Sequence, residues 1–433
     1  MRSALTLMVV IVLSYGLAFG QTEKVLWSFG GPPDDGYGPT SGLVSDSSGN
    51  LYGTTYYGGN SVNRPCNGGC GTVFELSPNP DGTWAESVLY NFCSNYDGTT
   101  CLDGAFPPTG LAFDSAGNLY GTTFAGGADC YFGGLGCGVV FELSPPAHPG
   151  GAWSETVLHS FCSNNTSACP DGAWPNSQMA FDAFGNLYGT TILGGAGKGY
   201  GGTVFELSPN AGNWKYTILY NFCVNGQNGA CPDGTRPWAG VTFDRSGNLY
   251  GTTELGGAKK SAGNGTVYEL SPGVGGWTHT TLIALTGSLA RPLGTVSLDS
   301  GGNLYSTASE GTGGVFEFSL RTHKQLSFLF NGTDGASPAA GLLIDPKAGV
   351  AYGTTTGVPA YGPGNVFKIA ASGHETVLYN FCQLARCADG QVPYSSLIED
   401  KTGNLYGTTE YGGIYSATCA GGLGCGVVFE ITP

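Results

Sequence analysis

The hexapeptide Asn118-Leu119-Tyr120-Gly121-Thr122-Thr123 returns in near-copies along the whole chain. Its tyrosine stands at Tyr52, Tyr120, Tyr188, Tyr250, Tyr305, Tyr352 and Tyr406, at intervals of 68, 68, 62, 55, 47 and 54 residues. A chain of this kind folds as repeated units, each burying its apolar surface against its neighbours. Around each copy the same short runs follow in order: a Pro-led run ending in Asp, a Gly-Asn turn, Leu-Tyr-Gly-Thr-Thr, Val-Phe-Glu-Leu and Val-Leu-Tyr-Asn-Phe. Four short strands per unit, parted by Gly, Pro, Asn and Asp, are the pattern of a propeller blade, and no helical periodicity competes with it.

First strands are placed at residues 42–46, 110–114, 178–182, 240–244, 294–299, 341–345 and 395–400. The two ends of the chain then complete each other. Val25-Leu26-Trp27-Ser28-Phe29 matches the fourth-strand runs of later units yet precedes any first strand, whereas Val428-Phe429-Glu430-Ile431 is a third strand with no fourth after it. Pairing the two closes a ring and leaves no unpaired row of backbone groups at the seam. The chain is therefore expected to be all-β, a seven-bladed β-propeller with four antiparallel strands per blade, closed by its N-terminal strand and forming one domain over residues 21–433.

Arg2 precedes an apolar run from Leu5 to Leu17, and Ala18-Phe19-Gly20 offers small residues before Gln21, so residues 1–20 read as a signal peptide. The run is short for a bilayer span. The mature chain is thus expected to carry no transmembrane segment, to be secreted or periplasmic, and to be a monomer. Export agrees with the 14 cysteines, which fall into seven neighbouring pairs. They are Cys66 with Cys70, Cys93 with Cys101, Cys130 with Cys137, Cys162 with Cys169, Cys223 with Cys231, Cys382 with Cys387 and Cys419 with Cys425. These read as local disulfides rather than zinc ligands, because the pairs lie in separate loops with no histidine beside them. The net charge of −15, with only 16 Lys and Arg, would repel a phosphate backbone, which excludes nucleic acid as a partner.

Much that resembles chemistry reads as scaffold. The Asp residues from Asp46 to Asp400 that end each first strand suit the hairpin turn that follows them. The third-strand Glu75, Glu142, Glu206, Glu269, Glu317 and Glu430, with Lys368 in the sixth copy, recur too often for a catalytic acid. Second-strand residues are uncharged on both faces, so both must be covered. The glycine among them is expected to let the adjacent blade approach.

Second-to-third loops and blade-to-blade loops leave the sheets at one end, the top, and all seven cysteine pairs fall there. The blade-to-blade loops repeat Asp-Gly ahead of a proline, at Asp35, Asp103, Asp171, Asp233, Asp334 and Asp389, with Tyr37, Phe106, Trp174, Trp238 and Tyr394 close by. Carboxylates and aromatic rings around a channel mouth would suit sugar rings or cations, so these residues are the candidate binding site, for a carbohydrate or an extracellular protein. The bland alternative is that Asp-Gly is a turn and the rings wedge the blades apart. Calcium would suit such a ring of oxygens, although no acidic loop of dedicated calcium-site spacing is present. No Ser-His-Asp or Cys-His set can be assembled, since His148, His159, His279, His323 and His374 fall in or near outer strands. A pair of rim carboxylates acting on a glycosidic bond is the enzymatic alternative to a non-catalytic binding scaffold.

Asn50 to Thr55 with Gly71 to Pro78, Asn186 to Thr191 with Gly202 to Pro209, and Asn248 to Thr253 with Gly265 to Pro272 resemble the GloVer tandem repeat of exported bacterial proteins. The likeness spans nearly the whole mature chain. The fifth and sixth copies are degenerate, with Ser306 in place of Gly and Val350-Ala351 in place of Asn-Leu. The resemblance implies an extracytoplasmic array and brings no established activity or functional residues. Relatives often carry C-terminal anchors, whereas this sequence ends at Pro433 without a sorting tail. The first-strand and turn pattern is also similar to NHL-type propellers, which are mostly binding platforms.

Overall fold

Each Leu-Tyr-Gly-Thr-Thr copy becomes the second strand of a four-stranded antiparallel sheet, to which Ala173–Pro175 adds a short fifth strand in blade three, and from Leu51–Thr55 to Leu405–Thr409 these strands are buried on both faces. Seven such sheets form the ring of a seven-bladed propeller in a computed structural model. It describes residues 21–31, 35–60, 65–128, 130, 134–148, 150–163, 169–196, 201–224, 226, 230–257, 263–345, 349–357, 362–417, 419 and 422–432. The expected signal peptide lies outside these. Blade one runs Val44–Ser45, Leu51–Thr55, Thr72–Pro78 and Trp84–Asn91, and the other blades repeat that order. The N-terminal strand Thr22–Ser28 pairs antiparallel with Val427–Thr432, Val25 opposite Phe429, and completes blade seven as expected.

First strands are shorter than the sequence reading, only two or three residues each, as at Ala112–Phe113 and Leu343–Asp345. Upstream of them the chain runs along the channel wall, where a serine side chain takes over from the backbone ladder. Ser41 Oγ donates to the Thr54 carbonyl (3.2 Å) and accepts from the Thr54 N–H (3.1 Å). Ser395 does the same for Thr408, at 3.1 and 2.8 Å.

Three contacts recur between blades. In every second strand a threonine hydroxyl donates to a first-segment carbonyl of the next blade: Thr54 to Thr109, Thr122 to Ser177, Thr190 to Ala239, Thr252 to Gly294, Thr307 to Ala340, Thr354 to Ser395 and, across the closure, Thr408 to Ser41. The distances run from 2.9 Å (Thr190) to 3.4 Å (Thr252). Behind them a phenylalanine after the fourth strand meets a third-strand ring of the next blade edge to face, as in Phe29–Phe74, Phe92–Phe141 and Phe381–Phe429, with centroids 5.0–5.1 Å apart. On the top side, the proline of each blade-to-blade loop seats on the glycine that opens the preceding blade's third strand. A Cβ on Gly71, Gly202 or Gly364 would come within 2.6 Å of Pro107, Pro237 or Pro393.

The second-strand glycine serves a different neighbour from the one expected. A Cβ on Gly53 would lie 2.7 Å from Phe74, the residue directly opposite in the same sheet, so the glycine makes room for the core ring of its own blade. The hairpin aspartates are structural: Asp114 accepts from Ala116 N, Asn118 N, Asn118 Nδ2 and Tyr120 Oη at 2.8–3.1 Å. Third-strand Glu75 accepts from Tyr52 Oη (3.2 Å) and Ser77 Oγ (3.1 Å).

Every cysteine is bonded to the neighbour expected from the sequence, and no free thiol is left. Cys66 bonds with Cys70, Cys93 with Cys101, Cys130 with Cys137 and Cys162 with Cys169. Cys223 bonds with Cys231, Cys382 with Cys387 and Cys419 with Cys425. Two sulfur triads, one of Cys66, Cys70 and Cys101 and one of Cys137, Cys162 and Cys169, are tight enough to hold a metal. Every member is in a disulfide, so staples of neighbouring loops simply touch.

Thr408→Val removes the hydroxyl that spans the closing seam and leaves the Ser41 carbonyl without that partner. Unfolding in denaturant should show a loss of about 1–3 kcal/mol. Thr280→Val, at an exposed outer-strand position, should change stability by no more than about 0.5 kcal/mol in the same measurement.

Candidate functional site

Just ahead of the seam prolines stands a ring of residues in the left-handed backbone region: Gly38, Phe106, Trp174, Arg236, Arg291, Ser337 and Val392, with φ between 55° and 65°. Six of the seven are not glycine, and a β-branched Val392 there is costly, about 1–3 kcal/mol for such a conformation. Two backbone hydrogen bonds hold it. The N–H of each residue donates to the second-to-third loop of the preceding blade, as Phe106 does to Cys70 (2.7 Å) and Val392 to Pro363 (2.6 Å). The carbonyl accepts from the residue after its own second-strand Thr-Thr pair, as Phe106 does from Phe124 (3.0 Å) and Val392 from Glu410 (3.0 Å). Side chains at these two positions are thereby set side by side across every seam on the top face.

The pairs differ from seam to seam. Tyr56 stacks on Phe106 and Phe124 on Trp174, with centroids 5.3 and 5.2 Å apart. In blade four the residue after Thr-Thr is charged: Glu254 is buried and receives Arg291 Nη2 at 2.5 Å and Nε at 3.1 Å, with Arg236 Nη1 at 3.7 Å. Glu410 occupies the corresponding place in blade seven, and the residue facing it is Gly38, which has no side chain to offer.

Inside this ring opens a cavity of about 540 Å³ to which all seven blades contribute. Its wall combines aromatic rings (Tyr56, Tyr57, Phe124, Trp238, Tyr394), neutral polar groups (Thr40, Ser41, Thr109, Asn176, Gln178, Ser396) and one carboxylate, Glu410. Burial raises the pKa of Glu410, opposed by a hydrogen bond with Tyr411. Of the residues expected at a binding site, Trp238 and Tyr394 line the cavity directly. Tyr37, Phe106 and Trp174 lie one layer back, stacked on the lining rings Tyr57, Tyr56 and Phe124. Tyr56, Tyr57, Phe124 and Glu410 are not among the residues expected from sequence. The signal was there, since the residue after Thr-Thr is where the repeats disagree: Tyr56, Phe124, Ile192, Glu254, Ser309, Thr356 and Glu410.

The Asp-Gly carboxylates do not stand around the channel mouth as expected; none of the six lines the cavity. Each accepts hydrogen bonds or contacts from donors of its own loop and outer strand instead. Asp103 and Asp389 are fully buried and accept from Tyr90 Oη (2.7 Å) and Ser94 N (2.8 Å), and from Tyr379 Oη (2.8 Å) and Gln383 N (2.7 Å). Asp233 accepts from Tyr220 Oη (3.0 Å) and Cys223 N (2.9 Å), Asp171 is 3.1 Å from His159 Nε2, Asp35 accepts from Gly30 N and Gly36 N (both 2.6 Å), and Asp334 from Asn331 N and Nδ2 (2.8 and 2.7 Å).

Four of these aspartates also face an outer-strand glutamate whose Oε1 is buried without a donor: Asp389 with Glu23, Asp35 with Glu86, Asp103 with Glu155 and Asp334 with Glu375. Burial, then the neighbouring Asp charge, pushes Glu86, Glu155 and Glu375 up to about 8 and Glu23 up to about 7. Each of these glutamates therefore keeps its proton to a higher pH than an exposed one does. Four hairpin aspartates, Asp114, Asp182, Asp244 and Asp400, shift the other way: burial opposes it, but hydrogen bonds from Thr402, Asn404 and Tyr406 hold Asp400 down at about 2.

The signs give a stability maximum on the acid side of neutrality. A raised Glu stabilises fully below its unfolded pKa, and that contribution is lost as pH rises toward about 8; the depressed Asp contribution is lost as pH falls toward about 2. Melting temperature should therefore be higher at pH 5 than at pH 9, and the combined Glu86→Gln, Glu155→Gln and Glu375→Gln variant should show a flatter profile across that range.

The Gloeobacter/Verrucomicrobia repeat matches residues 67–258 and 231–423. Two crystal structures designated “putative 6-phosphogluconolactonase” are similar in fold. The one from Bacteroides uniformis is 15% identical with a TM-score of 0.49, over 78% of this chain and 83% of that one. The one from Bacteroides fragilis is 16% identical with a TM-score of 0.47, over 78% and 82%. No curated protein sequence matches the chain. Matched by that repeat from residue 67 to residue 423, the chain belongs to the Gloeobacter/Verrucomicrobia repeat family.

Proposed function

We propose that this protein is an exported, non-catalytic propeller that binds carbohydrate in the channel mouth of its disulfide-stapled top face. The observation that carries the reading is the cavity wall itself. Flat aromatic rings suit the apolar faces of a sugar, and the hydroxyls and amides of Thr40, Ser41, Thr109, Asn176, Gln178 and Ser396 suit its hydroxyl groups. A volume of about 540 Å³ is within the range of small-molecule sites. Seven disulfides fit an oxidising compartment outside the cytoplasm, and among the described residues no helix is long and apolar enough to cross a membrane.

A glycoside-cleaving enzyme needs two carboxyl groups flanking the bond, about 5–10 Å apart. Among the described residues lining the cavity there is one, Glu410. The disagreement between blades at the lining positions supports recognition, because a surface with a purely structural role would be free to repeat like the seams beneath it.

Titration calorimetry with neutral oligosaccharides tests the reading on the disulfide-intact chain. Trp238→Ala and Tyr394→Ala should each weaken binding about tenfold or more, the loss of one aromatic contact. Phe184→Ala, at an 88% exposed first hairpin on the opposite face, should leave it unchanged. Bond cleavage in the same saccharides, or binding to an extracellular protein and to no saccharide, would replace this reading with one of its rivals.

A further inference from the structure

The seam between blades seven and one places a carboxylate opposite a glycine. At the seam between blades four and five, the carboxylate after Thr-Thr, Glu254, is neutralised by the left-handed residue of the next blade, Arg291. At blade seven the same place holds Glu410, the left-handed residue opposite is Gly38, and among the described residues no cation pairs with Glu410. The carboxylate lies instead on the cavity wall with Tyr56, Tyr57 and Tyr394. Tyr57 is braced in turn by Tyr56 at 4.8 Å and Tyr37 at 5.2 Å between centroids. Tyr411 hydrogen-bonds this carboxylate but brings no positive charge, and a carboxylate without a cation among aromatic rings suits an organic cation: the charge attracts the ammonium, and ring faces within about 6 Å add a cation–π contribution.

We infer that the corner formed by Glu410, Tyr56, Tyr57 and Tyr394 binds a protonated primary amine, and that the saccharide this propeller prefers is an amino sugar. The inference rests on the carbohydrate reading above and adds the charge of the ligand to it. The neutral hydroxyls and amides elsewhere on the wall leave only this corner to distinguish a charged sugar from an uncharged one. The overall charge of −15 draws cations to the protein in general but does not direct them to one seam.

The molecule supplies its own test. An arginine at position 38 would reproduce the pair that Arg291 makes with Glu254, and the backbone there tolerates it, since φ is 65° at Gly38 against 57° at Arg291. A Cβ on Gly38 would meet its nearest neighbour, Tyr57, at 3.6 Å, an ordinary contact. Calorimetry at pH 6 would compare β-1,4-linked tetramers of glucosamine, N-acetylglucosamine and glucose on wild type, Glu410→Gln and Gly38→Arg. The glucosamine tetramer should bind wild type at least about tenfold more tightly than the other two, and each variant should lose that preference while still binding the glucose tetramer; one unit of charge in −15 is too little to do this through the overall field. Equal affinity for the three tetramers in wild type, or a preference that survives in both variants, overturns the inference and leaves the carbohydrate reading standing. Absence of binding to every tetramer overturns both. Binding of Nα-acetyl-lysine methylamide as tightly as the glucosamine tetramer would assign the corner to a protein amine and overturn the amino-sugar assignment.

Discussion

The hydrogen bond from a second-strand threonine to the next blade's channel-wall carbonyl is the interaction on which the ring depends. It is made seven times, including once between Thr408 and Ser41 across the closure. A carbonyl on the channel wall has no strand on its inner side, and the threonine hydroxyl supplies the donor that a strand would. Supplying that donor from the adjacent blade couples the sheets at the radius where they are closest. It also explains why neither face of the second strand is charged: one face holds the hydroxyl and the other packs against the neighbouring sheet. The aromatic pairs behind it, such as Phe29 with Phe74, add apolar contact to a joint whose geometry the hydroxyl has already set.

With the joint repeated so closely, the top face becomes the place where blades are allowed to differ. The left-handed residue before each seam proline is held by two backbone hydrogen bonds, so its side chain takes no part in maintaining its own conformation. Phe, Trp, Arg, Ser and Val all occupy that position. The same holds for the residue after Thr-Thr. Conformational strain is thus spread round the rim and fixed by the scaffold, which leaves the chemistry of each seam free: stacked rings at two seams, an arginine paired with a buried glutamate at a third, and a glutamate with no cation where glycine closes the ring.

The repeated acids divide by burial. Hairpin aspartates such as Asp114 and Asp400 gather donors from the turn they head and are held ionised. Loop aspartates share their loops with an outer-strand group that changes with the blade: Glu86 beside Asp35, Tyr216 beside Asp171, His279 beside Asp233. Burial, and after it the charge of the neighbouring aspartate, is what pushes the glutamates up. Many of the 31 acids are therefore placed where they tie down turns and loops rather than where they meet a ligand.

By itself the sequence determined the ring: seven tyrosines at near-regular spacing count the blades, and the fourth-strand run at Val25 to Phe29 pairs with the orphan third strand at Val428 to Ile431. Cysteines as near as Cys223 and Cys231, Cys382 and Cys387, or Cys419 and Cys425 could close only with each other once the loops were short. These features are legible because they rest on order along the chain, on strand period and on turn chemistry, all of them local. Which way a loop side chain turns is not local. Asp103 and Asp389 occupy loops that rise toward the channel, and only tertiary structure shows that Tyr90 and Tyr379 draw them inward, away from it. Glu254 and Glu410 follow the same two threonines and read alike in sequence, but their surroundings come from the next blade, where an arginine meets one and a glycine the other. Whether a carboxylate is neutralised or left facing a cavity was decided by that neighbour, because electrostatic environment is set by what packs within a few ångströms in space and not by what adjoins in the chain.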